Sequence, residues 1–179
     1  MRIGTKSVLF GAHCFFIHPW FVALAWWQLY GFPLDPRLWI AFFVHDLGYI
    51  GKPNMDGPEG ETHPQLGAAI MGLFGQQWHD FTLLHSRFYA RAVGKPHSRL
   101  CAADKLATAL TPRWLYLTLV RLTGEIDEYM GMAGQGKYQR DESVMWSLKQ
   151  SGKFDRISWH ATMTAFMRKW AWDNREVKP

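Results

Sequence analysis

The chain has 179 residues, 48% of them hydrophobic and 20% charged, which is material for one sizeable core and excludes a disordered chain. The net charge of +5 favours anionic partners without choosing among phosphorylated small molecules, nucleic acid and an acidic surface. Two cysteines, Cys14 and Cys101, lie in apolar surroundings and read as small buried hydrophobes of a reducing compartment, so a disulfide framework is excluded.

In chain order, the apolar stretch from Val8 to Tyr30 raises the question of a membrane helix or leader peptide. His13, His18 and Pro19 interrupt it and no small-residue cleavage site follows, so the expectation is a soluble cytoplasmic protein without a membrane span. Pro19 to Tyr30 predicts a central helix that breaks at Gly31, Phe32 and Pro33. Asp35-Pro36 is a helix start, a capping carboxylate followed by proline at the first helical position, and the helix runs to about Val44. Residues 48–61 form a Gly/Pro-rich loop. Thr62, His63 and Pro64 open the next helix, to about Phe74 and Gly75. One continuous helix is expected over Gln77 to Ala92, closed by Gly94, Lys95 and Pro96. Ser98 caps a helix through about Leu110, and Arg113 to Leu122 is another, ending near Gly124.

Beyond that point Gly131 to Lys137 reads as a surface loop and Asp141 to Lys149 as a short helix. Ser158 to Asn174 predicts a terminal helix carrying Trp159, Met163, Phe166 and Trp170 on one stripe. No alternating strand, internal repeat or linker is evident. The expected class is all-α, a single-domain helical bundle over residues 1–179. The tryptophans, among them Trp20, Trp26, Trp27, Trp39, Trp114 and Trp170, read as core, with Trp20 near His18 also placed to stack on a nucleobase.

The pair His45-Asp46 follows the apolar run Leu38 to Val44. An imidazole and a carboxylate side by side, carried out of a greasy segment, cost free energy unless something compensates their burial, and a metal ion is the compensation these residue types indicate. His18 upstream and His63, His85 and Asp104 downstream complete a set of candidate ligands, each separated from the next by about one helix and a loop. On its helix Asp104 has Leu100, Cys101, Ala107 and Thr108 as neighbours, and one hydroxyl is too little for a carboxylate on that stripe. Imidazole and carboxylate donors suit one or two divalent ions of Mn, Fe, Co, Ni or Zn.

The pattern His18, His45-Asp46, Asp104 resembles the HD-domain superfamily of metal-dependent phosphohydrolases. Three runs carry the resemblance: His18-Pro19-Trp20-Phe21-Val22-Ala23, Ala41-Phe42-Phe43-Val44-His45-Asp46-Leu47-Gly48, and Ala102-Ala103-Asp104-Lys105-Leu106-Ala107. It covers residues 11–110. It implies that His18, His45, Asp46 and Asp104 bind one ion, and that His63 and His85 bind a second with Asp46 bridging. Many relatives carry a lysine soon after the pair, where this chain has Tyr49, with Lys52 three residues on; phosphodiesterase members often have adjacent histidines where this chain has His85-Ser86.

The resemblance implies hydrolysis of a nucleotide or related phosphate ester or anhydride by a metal-activated water. Catalytic candidates are Asp46, Glu59 and Lys52; candidate substrate contacts are Arg87, Arg91, Lys105 and Tyr49. For Glu59 and Glu61 the competing reading is a solvated turn, and for Arg87 and Arg91 a solvated basic face. His13, His79, His97 and His160 read as hydrogen-bonded core histidines. A di-iron branch of the superfamily that oxidises C–H bonds, acting on a small phosphorylated or polyol substrate, is one alternative. A non-catalytic protein binding a nucleotide or partner is another. The expected partner is a small anionic substrate; nucleic acid is permitted but not favoured, and a homo-oligomer is compatible.

Overall fold

The computed structural model describes residues 1–134 and 155–176, and these are helical with no strand. The α-helices are α1 (Ile3–Phe10), α2 (His18–Tyr30), α3 (Pro36–Val44), α4 (Pro64–Met71), α5 (Gln76–Leu83), α6 (Arg87–Ala92), α7 (Arg99–Leu110), α8 (Arg113–Thr123), α9 (Glu125–Gly134) and α10 (Arg156–Asp173). Short 3-10 turns cover Leu47–Tyr49, Gly60–Thr62 and Gly72–Phe74. Among the described residues no helix is long and apolar enough to cross a membrane.

Helix α7 is the axis of the bundle, packed against α2 on one side and α10 on another. Its composition explains why: Ala102, Ala103 and Ala107 have no exposed surface and let both neighbours approach, while Leu100 and Leu106 fill the space between. With Val22, Ala25 and Trp26 of α2, Phe42 of α3 and Met71 of α4 they form the main core. Each fully buried Leu or Phe there contributes about 1.5–3 kcal/mol of transfer free energy. Two smaller clusters complete the packing. One joins Tyr116, Val120, Ile126, Trp159 and Met163 across α8, α9 and α10. The other sets Val8 of α1 against Tyr49 and Met55.

Local chemistry accounts for most boundaries. Asp35 accepts from the Arg37 backbone N–H at 2.9 Å and so caps α3 as its sequence predicts. Asp155 and Ser158 form a reciprocal capping box at the start of α10. The expected continuous helix from Gln77 to Ala92 is instead two helices. Ser86 has extended backbone and its hydroxyl caps the N–H groups of Phe88 and Tyr89, so the chain restarts there and His85 lies in the break.

Other expectations need correcting. The start of α7 lies just after Ser98 as expected, but the Ser98 hydroxyl makes no capping bond and is buried without a partner. Gly131 belongs to α9 rather than to a loop, and α1 is a helix the hydropathy pattern did not single out. Residues 135–137 of the expected loop and the expected helix from Asp141 to Lys149 lie outside the described residues. Trp20 and Trp27 are 57% exposed and Trp114 is 71% exposed, so these three are surface rings; α2 carries more aromatic surface than its one buried face can hide. Trp26 alone of the six named is fully in the core.

Candidate metal centre

Three of the six candidate ligands sit at helix ends, two lie between helices and α7 supplies one from mid-helix. His18 is the first residue of α2, His45 the residue that closes α3, His63 the residue that opens α4, and Asp104 lies midway along α7. Asp46 follows His45 in the turn before Leu47–Tyr49, and His85 occupies the break between α5 and α6. Two glycines make the convergence possible by close approach. A Cβ on Gly67 would stand 2.5 Å from the Val44 carbonyl oxygen, and one on Gly48 would stand 1.9 Å from that of His63. Only glycine lets α4 and the turn after the pair press together there.

The side chains then meet in two groups that share Asp46. In the first, Asp46 Oδ2 lies 3.0 Å from His45 Nε2 and 3.5 Å from His18 Nε2, and Asp104 Oδ1 lies 3.0 Å from His18 Nε2 and 3.7 Å from His45 Nε2. In the second, Asp46 Oδ1 is 3.6 Å from both His63 Nε2 and His85 Nε2. Within each group the donor atoms lie within 4.8 Å of one another, and every residue but Asp104 is buried.

The imidazoles are oriented from behind. His45 Nδ1 bonds the Phe42 carbonyl at 3.0 Å, His63 Nδ1 that of Gly60 at 2.8 Å and His85 Nδ1 that of Thr82 at 2.5 Å. A carbonyl can only accept, so each Nδ1 carries a hydrogen and each Nε2 is the nitrogen turned inward. A backbone carbonyl behind each ring fixes its orientation and prepares the histidine for a metal. Its consequence is unsatisfied atoms. His63 Nε2 and His85 Nε2 lie 3.2 Å apart, and with both rings neutral no hydrogen stands between them. His45 Nε2 and Asp46 Oδ2 are buried without a hydrogen bond despite their proximity. Each such orphan costs about 1–3 kcal/mol when buried, and a cation in either group would remove the deficit. The donor set therefore fits metal ions, and these buried groups can hold one.

The electrostatics agree. Burial opposes charge on His45, but the carboxylates of Asp46 and Asp104 outweigh it and push the imidazole up to about 10. Burial likewise opposes the Asp46 and Asp104 carboxylates, yet the neighbouring histidines hold both well below the usual range. His63 goes the other way: burial, then the charge of His85, push it down to about 3, so it stays a neutral donor. The Asp46 and Asp104 carboxylates thus stay ionised and draw positive charge to the centre.

The other predicted residues are placed less centrally. Tyr49 is buried and stacks on His63 with ring centroids 4.0 Å apart, and burial followed by Asp46 holds its phenol well above 10. It buttresses a ligand. Glu59 is exposed and accepts from Asn54 Nδ2 at 2.5 Å, and Lys52 donates to Thr62 Oγ1 at 2.5 Å; both brace the 51–62 loop and neither belongs to the two donor groups. Arg91 is exposed and donates to the Arg87 carbonyl of its own helix. Arg87 and Lys105 are half-buried, their cationic groups 5.3 and 5.5 Å from the Trp170 ring centroid. Asp104 takes its partner from His18, not from Thr108, whose hydroxyl turns to the Asp104 backbone carbonyl.

Among the histidines read as ordinary core residues, His97 bonds the Asn174 carbonyl and packs on Trp170, and His79 bonds Asp80. His160 is buried with Nε2 unpartnered. His13 differs. It lines, with Val8, Phe15, Phe43 and Leu47, the pocket that opens on His18, His45 and Asp46. Its one sequence signal was its place five residues ahead of His18, which by itself distinguishes nothing. No family model, curated protein or solved structure matches this chain.

Proposed function

We propose that the chain is a metal-dependent phosphohydrolase of the HD-domain kind, acting on a nucleotide or a related phosphate ester or anhydride. The observation that carries the reading is the pair of donor groups joined by the two oxygens of Asp46. His18, His45, Asp46 and Asp104 would hold one ion, and Asp46, His63 and His85 a second. Imidazole and carboxylate donors suit Mn, Fe, Co, Ni or Zn alike. Bound there, such ions supply a water acidified toward neutral pH and a Lewis acid for a phosphoryl oxygen.

The chain's own groups do the rest. The Nδ1 bonds of His45, His63 and His85 keep their rings from rotating away. Phe42 and the other apolar walls exclude bulk water and strengthen every charge interaction inside. Arg87 and Lys105 make no ion pair among the described residues, and although neither lines the pocket they would be the cations to hold further phosphate oxygens beyond it.

The test is metal analysis of protein purified without chelators, together with release of phosphate or pyrophosphate from a nucleotide panel by metal-restored protein. Turnover that disappears in a His45→Ala/Asp46→Ala control supports the reading. A metal-loaded protein that turns over no member of the panel above that control rejects it.

A second reading has one observation in its favour. The pocket beside His18, His45 and Asp46 is walled by apolar side chains, and no lysine or arginine lines it. A di-iron oxygenase acting on C–H bonds of a small substrate would suit such walls. Iron in the isolated protein with substrate-dependent oxygen uptake selects this reading; a colourless Mn or Zn protein that hydrolyses phosphate esters discards it.

A further inference from the structure

Behind the pocket lies a polar network that metal binding does not require. Glu125, at the start of α9, has no exposed surface. Its carboxylate accepts from Thr123 Oγ1 at 2.6 Å, Ser7 Oγ at 3.0 Å, Tyr129 OH at 3.1 Å and the Ala12 backbone N–H at 3.3 Å. Among the described residues four donors bond it and no acceptor does. Ser7, on α1, is also fully buried and its hydroxyl lies 2.8 Å from His13 Nδ1.

For a neutral His13 ring the hydrogen positions admit one arrangement. A serine hydroxyl has a single hydrogen, and Ser7 directs it to Glu125. Towards His13 the Ser7 oxygen can therefore only accept, so His13 Nδ1 must carry the hydrogen. Nε2 is left with a lone pair, and among the described residues nothing bonds it. The ring is held by Tyr49, centroids 4.8 Å apart, and meets His18 edge-on at 5.7 Å. It faces the pocket shared with His18, His45 and Asp46. His13 differs from the other histidines outside the donor groups in having a built support for Nδ1 and an Nε2 beside the candidate metal centre.

We infer that His13 is a substrate-contacting residue, locked by Ser7 and Glu125 as a hydrogen-bond acceptor, so that the pocket takes a group bearing a donor such as a hydroxyl or N–H. In an otherwise apolar pocket this single acceptor selects such a group over an isostere that lacks the donor, because the isostere leaves Nε2 desolvated and unpaired. Ser7 and Glu125 are positioning residues that act through His13. The inference rests on the reading of the centre as a metal site that opens on this pocket.

Long-range proton–nitrogen spectra of histidine-labelled, zinc-loaded protein read the tautomer without any substrate. The expected result is an Nδ1–H signature for His13 that is lost or mixed in Ser7→Ala; an Nε2–H signature in the wild type overturns the assignment. On any substrate that the wild type turns over, His13→Phe is expected to lower kcat/KM about tenfold or more at unchanged metal content and melting temperature, with His13→Gln restoring part of it. Unchanged kcat/KM in His13→Phe overturns the substrate contact. If no phosphate compound is turned over, the phosphohydrolase reading fails by itself, and the tautomer spectra still decide the acceptor role.

Discussion

His63 and His85 face each other nitrogen to nitrogen, Nε2 to Nε2 at 3.2 Å, with both Nδ1 hydrogens committed to backbone carbonyls. With both rings neutral, two lone pairs at that distance repel, and a cation between them removes the repulsion. The nearest other charge is Asp46 Oδ1, itself negative. This repulsion is the sharpest reason to place a cation between α4 and the break before α6.

Metal content should therefore divide by group. His63→Ala or His85→Ala should remove one ion and leave the other, His18→Ala or Asp104→Ala should do the reverse, and Asp46→Ala should lower both. Elemental analysis after dialysis against the metal reads this directly; equal loss in every variant would show a single undivided site. Loading should also stabilise the fold by about 2.7 kcal/mol at a hundredfold excess over Kd, or roughly 5–11 °C in melting temperature for a chain of this size.

Gly67→Ala tests whether close approach builds the second group. The new methyl would lie 2.5 Å from the Val44 carbonyl oxygen, so α4 must retreat and carry His63 away from Asp46. The expected cost is about 1–3 kcal/mol in denaturant unfolding. Weaker retention of one ion should accompany it. Wild-type retention of both ions would mean that α4 has slack there.

If Arg87 and Lys105 hold phosphate oxygens as proposed, Arg87→Ala and Lys105→Ala should each raise KM about tenfold for a phosphorylated substrate while kcat changes little. Both flank Trp170, so each variant should also lower the salt dependence of KM. Wild-type kinetics in both would return these residues to an ordinary basic surface.

Acid stability has a local contribution away from the centre. The Asp80 carboxylate is held down to about 2 by its bond from Lys95, then by His79. Its ordinary value of 3.8 applies in the unfolded chain, so the unfolded state takes up the proton first as pH falls. The contribution is complete above about pH 4 and is lost towards pH 2. Because Lys95 is largely exposed, it amounts to no more than about 1 kcal/mol. Asp80→Asn should flatten the stability curve over that interval only; an unchanged curve would show that the pair is fully screened.

Much of the helical framework was legible locally, because caps and breakers act within a few residues. Asp35-Pro36 opens α3, Gly31 ends α2 and Gly124 ends α8 for reasons contained in their own neighbourhoods. The order of ligand-type residues, and the poverty of donors around Asp104, could likewise be read from residue type and helical spacing. The break at His85 escaped that reading because the capping strength of Ser86 competes with a helical pattern that continues on both sides. The exposed rings of Trp20, Trp27 and Trp114 escaped it too, since hydrophobicity says what prefers burial and not how much interior a small bundle has.

What tertiary structure alone decided is which atoms face one another. That Asp46 turns one oxygen to His18 and His45 and the other to His63 and His85 depends on the approach of α4 to α3 through Gly67. That His13 is a pocket residue depends on Ser7 meeting Glu125 across 118 positions of chain. Local preference covers a few residues, whereas these contacts form only when distant segments have packed together, and so sequence determined the chemical groups available while packing determined which of them could act together.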